Sequence, residues 1–520
     1  MGEEDVRTLV ICTIPVKVDG VLHRGLKPHI REKRIHFISM LTHHILSQYP
    51  EGQYYLKKPV DRTFLKHHYS NNYKSEVLEP LLESGLIEVN DSYSTSLHYS
   101  KQYSLSKDLI ESVINGKLKK IQLARKTLVN RIYSWNRESQ KRQFNEYSFL
   151  EKEAEMLIHL NINSDILEIE YNKRLLDKRG DAEEYKRFQL EYQKESILKL
   201  NEARDLLDSK IRLISGRVYH PLVNCLKEFR KAVVDDNAES YVEIDLRSSQ
   251  AVFLCKVIAV AISNRLMVQN ENGKFEFEDD FLQKVEGLLT SDFQPIDSGI
   301  YPIDFVQFWA DVFYSDIYCE ASVFMLQYFG ERQYKSGFHD GRFKIVPNIL
   351  YIDDSLDVPR KEAKEAFFKD VFFNYFNKEN SYKSEYSSEF ISLFNKRFPT
   401  VFEFNREAAR QSNEHKKKSR DLALLLQKSE SIFFHQIVSK HLTVENKFNY
   451  FIVHDGIYAP KEYAYAIAMA TRNASKQYFS RVPYFKCSSE LLFPNEELEE
   501  LWNEWSFADA PDSLNEICYE

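Results

Sequence analysis

The sequence predicts a helix-rich α+β fold built from more than one domain. A long charged stretch from about residue 105 to about 212 is almost free of Gly and Pro and has the apolar spacing of amphipathic helices. From about residue 213 onward, strand-like apolar runs alternate with helical segments. A chain of 520 residues is too long for one ordinary core. We therefore expect about two to four domains.

Composition and charge are those of a globular protein. Apolar residues make up 43% of the chain and charged residues 28%, which excludes a disordered chain. The net charge of −8 excludes a generally basic nucleic-acid binder but leaves room for a local basic channel. The 36 Phe and 31 Tyr residues either fill a core or add surface on which bases can stack.

The spacing of the cysteines and the length of the apolar stretches indicate the cellular compartment of the protein. The six cysteines are scattered and form no CxxC pair, so neither a zinc site nor a disulfide framework is predicted. The N-terminal run VRTLVICTIPV is short and β-rich rather than built like a secretory signal. Apolar stretches fall well short of the roughly 20 residues of a membrane helix. We expect a cytoplasmic protein with reduced thiols and no membrane partner.

Residues 1–110 are predicted to form a small winged-helix-like module. The segment SEVLEPLLESGLIEVNDSYSTSLHYSKQYSLS begins at Ser75 and has the pattern of an amphipathic helix, a stop at Gly85 and two strands with a polar turn. A helix followed by a hairpin is the outline of a winged helix, a common nucleic-acid-binding module. A structural or protein-contact role fits the same pattern.

Residues 111–212 are predicted to form a long-helix arm. KLKKIQLARKTLVNRIYSWNRESQKRQF, from Lys117, and EYKRFQLEYQKESILKLNEARDLLDSKIRLI, from Glu184, read as long amphipathic helices, with breaks at NINSD and KRGDAEE. Heptads are not sustained, so a packed arm is expected rather than a free coiled coil. Its positive charges either form a solvated face or follow a phosphate backbone.

Two short apolar runs each end in an aspartate. They are YVEIDLRSSQ, with Asp245, and FNYFIVHDGIYAP, with Asp455. Two adjacent buried strands of this kind can hold two carboxylates a few ångströms apart, which suits divalent metal ions and the transfer of a phosphoryl or nucleotidyl group. A lone aspartate after a strand is commonly a cap or a turn former, so the hypothesis needs further residues.

A helical segment between the two aspartates supplies such residues. In RKEAKEAFFKDVFFNYF, Arg360, Lys364, Phe368 and Phe372 recur every four residues and therefore drift slowly around one helix face. The cations can meet a triphosphate, and the rings can stack on a base or a sugar. The alternative is an ordinary amphipathic helix with two surface cations.

Together these segments resemble the family A DNA polymerases and their relatives, the phage-type single-subunit RNA polymerases. IDLRSSQ is similar to the strand that ends in the first metal-binding aspartate, the four-residue steps are similar to the fingers helix, and VHDGIY is similar to the His-Asp hairpin. Further segments follow in the family's order over about residues 213–490: SGRVYHP with Arg217, FNKRFPTVFEFN with Pro399, LALLLQKSESIFFHQI with Gln427, and then AYAIAMATRNASKQYF and VPYFKCS as a helix and a strand.

The resemblance implies a right-hand polymerase. Residues 213–260 and 416–520 would form the palm with its antiparallel sheet and the C-terminal tail, residues 261–415 the helical fingers with an insertion, and residues 111–212 a thumb-like arm. Asp245 and Asp455 would bind two Mg²⁺ ions about 3.5–4 Å apart, with Mn²⁺ as a substitute.

The resemblance also assigns roles to the residues around the metals. Arg360 and Lys364 would neutralise the triphosphate, with Lys364 the better candidate for protonating the leaving group. Phe368 and Phe372 would stack on the incoming nucleotide, and Gln250 would lie beside its sugar. The residues expected to contact primer and template, each with a structural role as the alternative, are Arg217, Gln427, His454, Lys416, Lys417, Lys418 and Arg420.

Two departures from the family pattern concern the sugar. The position five after Asp245, usually Glu in the DNA polymerases, is Gln250, and the fingers Tyr is Phe372. A Phe ring can exclude a 2′-hydroxyl by its bulk but cannot form a hydrogen bond to it. This favours deoxynucleotides.

The expected function is a DNA polymerase that extends a primer on a template from nucleoside triphosphates. No start of a proofreading exonuclease is present in the sequence, and the architecture suggests a mobile element, a phage or an antiviral defence system. The alternatives are a single-subunit RNA polymerase or primase-like enzyme, a template-independent terminal transferase, and an inactive nucleic-acid-binding protein. Protein partners stay open.

Overall fold

The protein folds into helices and small antiparallel sheets, which confirms the predicted α+β class. The computed structural model describes residues 10–22, 26–48, 57–90, 101–176, 184–214, 216–296, 298–313, 317–318, 364, 392, 394–414, 420–443, 448–483 and 485–487. Contacts divide the chain into two compact units. Unit 1 comprises Met1–Arg212 and His220–Ala238, and unit 2 comprises Leu213–Tyr219 and Glu239–Glu520.

The first part of unit 1 has two antiparallel sheets, with strand orders β1-β5 and β2-β4-β3. Its elements are β1 Ile11–Pro15, α1 Val16–Leu22, α2 Pro28–Gln48, β2 Lys58–Pro59, α3 Arg62–Tyr69, a π-helical turn Lys74–Leu78, α4 Glu79–Glu83, β3 Ile87–Asn90, β4 Gln102–Leu105, α5 Lys107–Ile114 and β5 Leu118–Gln122.

The helix, the Gly85 stop and the two strands predicted from Ser75 onward are confirmed. Gly85 follows α4 with a φ of +66°, a left-handed conformation that favours glycine, and its N–H donates to the Leu82 carbonyl at 2.9 Å. The strands β3 and β4 then pair antiparallel, with Ile87 opposite Leu105. The buried side of this region is apolar and includes Leu81, which is fully buried.

Helices dominate the second part of unit 1. The elements that follow along the chain, of which β8 and all of β7 except Arg212 belong to unit 2, are α6 Lys126–Glu146, α7 Phe149–Ile158, β6 Asn161–Ile162, α8 Ser164–Leu176, α9 Glu184–Asn201, a 3₁₀ turn Leu206–Asp208, β7 Arg212–Ile214, β8 Arg217–Tyr219, a 3₁₀ turn Lys227–Ala232 and β9 Val233–Val234.

The predicted long helix from Lys117 is wrong over its first residues. Gly116 ends α5 with a φ of +64°, and Leu118–Gln122 forms the strand β5, which pairs with β1. Pairing with a distant strand overrides the helix propensity of KLKKIQ. The predicted break at NINSD is confirmed by β6, whereas most of KRGDAEE lies outside the described residues. The helix predicted from Glu184 ends at Asn201.

Unit 2 is centred on a four-stranded antiparallel sheet with the order β13-β14-β10-β15. Its elements, numbered over the described residues, are β10 Val242–Leu246, α10 Ser249–Ser263, β11 Met267–Gln269, β12 Phe275–Phe277, α11 Phe281–Leu288, α12 Ile303–Phe313, α13 Pro399–Glu414, α14 Arg420–Ser431, a π-helical turn Ile432–Val438, α15 Ser439–Thr443, β13 Phe451–Val453, β14 Gly456–Ala459, a 3₁₀ turn Lys461–Tyr463, α16 Ala464–Phe479 and β15 Phe485–Cys487.

Several local predictions for this unit are confirmed. Both aspartate-bearing runs contain strands, β10 and the β13–β14 hairpin. A helix begins at Pro399, where both the backbone N–H and the hydroxyl of Thr400 donate to the Asp304 carboxylate at 2.7 Å. The segment with Gln427 is the helix α14, and the helix and strand predicted after Asp455 are α16 and β15.

The helix α10 carries the core of unit 2. It follows β10 directly, is buried from Ser249 to Ala261, and packs against α11, α12 and α14. A helix that is apolar on nearly every side is a core helix. Phe253 on α10 meets Phe433 and Phe479 with ring centroids 6.1 and 5.7 Å away. The strand with Asp245 therefore leads into the most buried element of the unit.

None of the described helices is both long and apolar enough to cross a membrane.

Candidate active site

Asp245 lies on β10, and Asp455 lies in the turn that leads into the neighbouring strand β14, at the middle of the unit 2 sheet. Asp245 is opposite Gly456 in the β10–β14 register, and Asp455 directly precedes Gly456. The backbone N–H of Leu246 donates to the Asp455 carbonyl at 2.9 Å, which fixes the two segments against each other. Both aspartates are half-buried. The structure thus places the two aspartates that the sequence singled out on neighbouring backbone segments.

A tight hairpin presents Asp455. Val453 pairs with Gly456, so only His454 and Asp455 form the turn between β13 and β14. His454 has a φ of +55°, in the left-handed region that non-glycine residues seldom adopt and that is often found at functional sites. The His454 ring lies edge-on to Tyr219 of β8, with centroids 6.4 Å apart. This contact places the Gly-Arg segment beside the hairpin.

Gly456 keeps space beside the Asp245 carboxylate. A Cβ at position 456 would lie 3.5 Å from Asp245 Oδ1 and 3.5 Å from Glu243 Oε1. Glu243 shares a strand face with Asp245, because side chains alternate along β10. The Glu243 carboxylate is buried and accepts a hydrogen bond from the Tyr458 hydroxyl. Glu243 is therefore engaged within the sheet, next to the open position at Gly456.

A buried carboxylate, Glu430 on α14, joins three of the elements around the aspartates. Arg217 Nη2 lies 3.0 Å from Glu430 Oε1 and donates to Oε2 at 3.1 Å. The Gln250 amide donates to Glu430 Oε2 at 3.2 Å. The Glu430 side chain is only 2% exposed. Nearby, Gly216 allows close approach of β8 to α14, since a Cβ there would lie 3.1 Å from the Lys428 Cβ.

Burial raises the pKa of Glu430 to about 8; the Arg217 guanidinium acts in the opposite direction, and the Asp455 carboxylate adds to the increase. Glu430 is therefore within electrostatic reach of Asp455, one of the two candidate metal ligands. Arg217, Gln250 and Glu430 thus form a hydrogen-bonded group, the Glu430 network, beside that pair.

Three of the other predicted site residues are described by the structure, and six lie outside its described part. Gln427 is half-buried on α14, Arg420 begins that helix, and Lys364 is an exposed helical residue whose ammonium lies 5.8 Å from the centroid of the Tyr318 ring. The predicted residues that lie outside the described part of the chain are Arg360, Phe368, Phe372, Lys416, Lys417 and Lys418.

Sequence reasoning missed Glu243 and Glu430. Glu243 stands two residues before Asp245, so the period of a strand could have placed both carboxylates on one face. Glu430 lies in the polar run KSES and carries no signal of its own. Glu430 lies three residues after Gln427 and therefore on the same side of α14. Its hydrogen-bond partners, Arg217 and Gln250, lie 213 and 180 residues earlier in the chain.

The residues present fit a site with two carboxylate ligands. Carboxylate oxygens are the hard ligands that Mg²⁺ prefers, and Gly456 leaves room beside Asp245 Oδ1. The described residues contain no group of three or more His, Cys, Asp or Glu side chains arranged to hold a metal ion. Any metal site here would rest on Asp245 and Asp455, with water and substrate oxygens completing the coordination.

Comparison with known proteins adds no family. A scan against models of protein families finds no match to this chain, and a search of curated proteins finds no similar sequence.

Proposed function

We propose that this protein is a metal-dependent nucleotidyltransferase that adds nucleotides to a 3′-hydroxyl, as a DNA polymerase without proofreading. The observation that carries the proposal is the placement of Asp245 opposite Gly456, beside Asp455 in a His-Asp hairpin. The four-stranded sheet would act as a polymerase palm, residues 261–415 as the fingers, and residues 111–212 as a thumb-like arm.

The residues of the site have distinct tasks in this mechanism. Asp245 and Asp455 would hold two Mg²⁺ ions, or Mn²⁺ in their place. When bound, such ions acidify the attacking 3′-hydroxyl and neutralise charge on the triphosphate. His454 would orient the primer end, and Lys364 would meet the departing pyrophosphate. The narrow turn and the backbone hydrogen bond from Leu246 to Asp455 would keep the backbone of the two aspartates in place before substrate arrives.

The Glu430 network bears on the choice of sugar. Because the Gln250 amide nitrogen donates to Glu430, its carbonyl oxygen would be the group that meets the sugar of a nucleotide. A carbonyl can accept a hydrogen bond from a ribose 2′-hydroxyl. This contact favours an RNA polymerase as the second candidate, whereas the bulk of Phe372 favours deoxynucleotides. Arg217 is paired with Glu430, so its role toward primer or template would be indirect.

The N-terminal part of unit 1 is the candidate nucleic-acid-binding module. The order α2, β2, α3, α4, β3 and β4, with the sheet order β2-β4-β3, is compatible with a winged helix. The helix that would enter a groove carries exposed acidic residues, including Glu79 and Glu83. Direct base readout by that helix is therefore disfavoured, and the module would instead hold nucleic acid through another face or make protein contacts.

The test is a polymerisation assay with Mg²⁺ or Mn²⁺ across DNA and RNA templates, both nucleotide sets and a primer without template, with the products sequenced. Extension with deoxynucleotides on a primed DNA template is the expected result. Extension only with ribonucleotides would favour the RNA polymerase, and extension without template a terminal transferase. Tight binding without incorporation under every condition would overturn the proposal.

A further inference from the structure

Glu243 lies on the same face of the unit 2 sheet as Asp245. It stands two residues before Asp245 on β10, and side chains alternate between the two faces of a strand. In the sheet register Glu243 is opposite Tyr458 of β14, and Asp245 is opposite Gly456. One face of β10 therefore carries two carboxylates, of which Asp245 is a candidate metal ligand and Glu243 has no role in the chemistry described so far.

The Glu243 carboxylate is held in place from two neighbouring strands. The Tyr458 hydroxyl donates a hydrogen bond to Glu243 Oε1. The Tyr458 ring is stacked on the Phe451 ring of β13, with centroids 4.7 Å apart and ring planes 7° from parallel. Glu243 is 7% exposed and Tyr458 is 4% exposed. Because a buried and stacked ring has little freedom to move, its hydroxyl fixes the position of the carboxylate.

Both carboxylates border one small space at Gly456. A Cβ at position 456 would lie 3.5 Å from Asp245 Oδ1 and also 3.5 Å from Glu243 Oε1. The two oxygens are therefore separated by no more than twice that distance, and glycine has no side chain to place between them. Asp455 directly precedes Gly456 in the chain. The charge of Glu243 thus acts on the position where Asp245 and Asp455 would hold a metal ion.

The effect of that charge on a metal ion is attractive. Charges a few ångströms apart interact more strongly in a partly buried site than in bulk water, because the effective dielectric constant is lower. The repulsion between two carboxylates is relieved when a cation binds at one of them. The described residues contain no group of three or more His, Cys, Asp or Glu side chains arranged to hold one metal ion. Glu243 would therefore act through its charge rather than as a further ligand.

We propose that Glu243, held by Tyr458, is a positioning residue that raises the affinity of the site at Asp245 and Asp455 for a divalent cation. This role rests on the proposed function, since it requires that the two aspartates bind Mg²⁺ or Mn²⁺. Residues outside the coordination shell strengthen metal binding, and their loss lowers metal affinity by about ten- to a hundredfold. Because Tyr458 engages Glu243 Oε1, the carboxylate adds charge and leaves coordination positions to water and substrate oxygens.

The test is the binding of Mn²⁺ alone to the full chain, followed through the electron paramagnetic resonance signal of free Mn²⁺. Glu243→Gln removes the charge but keeps an oxygen that can accept from Tyr458, and it should raise the dissociation constant for Mn²⁺ by about tenfold. Tyr458→Phe keeps the charge and the stacked ring, so it should raise the constant by a smaller factor. A purely structural role of Glu243 gives the reverse order, because only Tyr458→Phe loses the hydrogen bond.

Primer extension supplies a second measurement. In Glu243→Gln the Mg²⁺ concentration for half-maximal incorporation should rise by about tenfold. Glu271→Gln is the control for the loss of one carboxylate, since Glu271 is exposed in the turn between β11 and β12. It should leave the Mn²⁺ dissociation constant and the Mg²⁺ requirement unchanged. Circular dichroism verifies the fold of each variant.

The outcomes distinguish the role of Glu243 from the proposed function. Asp245→Asn should lose Mn²⁺ binding. If it does while Glu243→Gln binds Mn²⁺ as tightly as the unaltered chain, or while Tyr458→Phe has the larger effect, the role of Glu243 is overturned and the metal site stands. Equal Mn²⁺ binding, or none, by the unaltered chain and Asp245→Asn would overturn both. Weaker Mn²⁺ binding in Glu243→Gln, without primer extension by the unaltered chain, would support the role of Glu243 and overturn the polymerase.

Discussion

The two units treat charge in opposite ways. In unit 2 the buried Glu430 meets a cation, Arg217, and an amide, Gln250, so the group is internally satisfied. In unit 1 the His36 and His68 rings stack with centroids 5.6 Å apart, and burial lowers the pKa of His36 to about 3 and that of His68 to about 4, so both rings are held without charge. The first arrangement can hold a polar site in place before substrate binds, whereas the second resists protonation.

The largest expected effect comes from breaking the Glu430 network. Glu430→Ala leaves the Arg217 guanidinium, whose side chain is 20% exposed, without its carboxylate. Breaking a buried pair by removing one partner costs about 3–5 kcal/mol. We expect the free energy of unfolding of unit 2 to fall by about 3 kcal/mol, measured by denaturant titration with hydrogen exchange on α10.

Glu430→Gln is the matched variant, because its side-chain oxygen can still accept from Arg217 or Gln250. It should retain most of the stability that Glu430→Ala loses. If both variants, or neither, destabilised unit 2, the network would not hold the site as described.

The next effect is an opposite pH dependence in the two units. Burial lowers the pKa of His36 to about 3, with smaller effects of His68, Lys58 and His43, and burial lowers that of His68 to about 4. Both groups charge more readily when unfolded, where the pKa is about 6.5. Their contribution to stability is present above pH 6.5 and is lost as the pH falls toward 4 and 3. We expect unit 1 to lose about 1–2 kcal/mol for each histidine at pH 5.

Unit 2 should respond in the other direction through Glu430. Its pKa is raised to about 8 from an ordinary value of 4.5. The folded state therefore binds the proton more tightly, and the contribution of Glu430 to stability is present below pH 4.5 and lost as the pH rises toward 8. Hydrogen exchange between pH 5 and 8, corrected for intrinsic rates, separates the α2 and α10 signals. Parallel slopes in the two units, or an unchanged unit 2 slope in Glu430→Gln, would contradict the comparison.

A smaller effect tests the space beside Asp245. Gly456 has no positive φ, and a Cβ there would make ordinary 3.5 Å contacts, so Gly456→Ala should fold. The methyl group would fill the position beside Asp245 Oδ1 and lower incorporation on the order of tenfold. Gly287→Ala on α11 is the control, since a Cβ at position 287 would meet no atom from outside its own helix backbone within 4 Å. This variant should leave incorporation unchanged and raise the free energy of unfolding by about 0.5–1 kcal/mol. Equal activity in both variants would show that this space has no role.

Sequence reasoning succeeded where the signal was local. The apolar runs that end at Asp245 and Asp455, the stop at Gly85 and the helix start at Pro399 are each encoded within a few residues, and each is found in the structure. It failed at Leu118–Gln122, where pairing with β1 over more than 100 residues decides the conformation. Long-range pairing of this kind has no local signature.

The same distinction applies to the candidate site. A family pattern of short motifs predicted that Asp245 and Asp455 lie close to each other. In the structure Asp245 is on β10 and Asp455 directly precedes its neighbour β14, with Asp245 opposite Gly456. Glu430 could not be found in this way, because its role depends on Arg217 and Gln250 arriving from other elements.

The most direct test of the central claim is primer extension with Mg²⁺ by the full chain and its Asp245→Asn and Asp455→Asn variants. Each variant should lose incorporation by at least about a thousandfold, because one metal ligand is worth several kcal/mol of transition-state stabilisation. Asp279→Asn, at an exposed position, controls for loss of one carboxylate and should retain full activity. Full incorporation by Asp245→Asn or by Asp455→Asn would contradict the account.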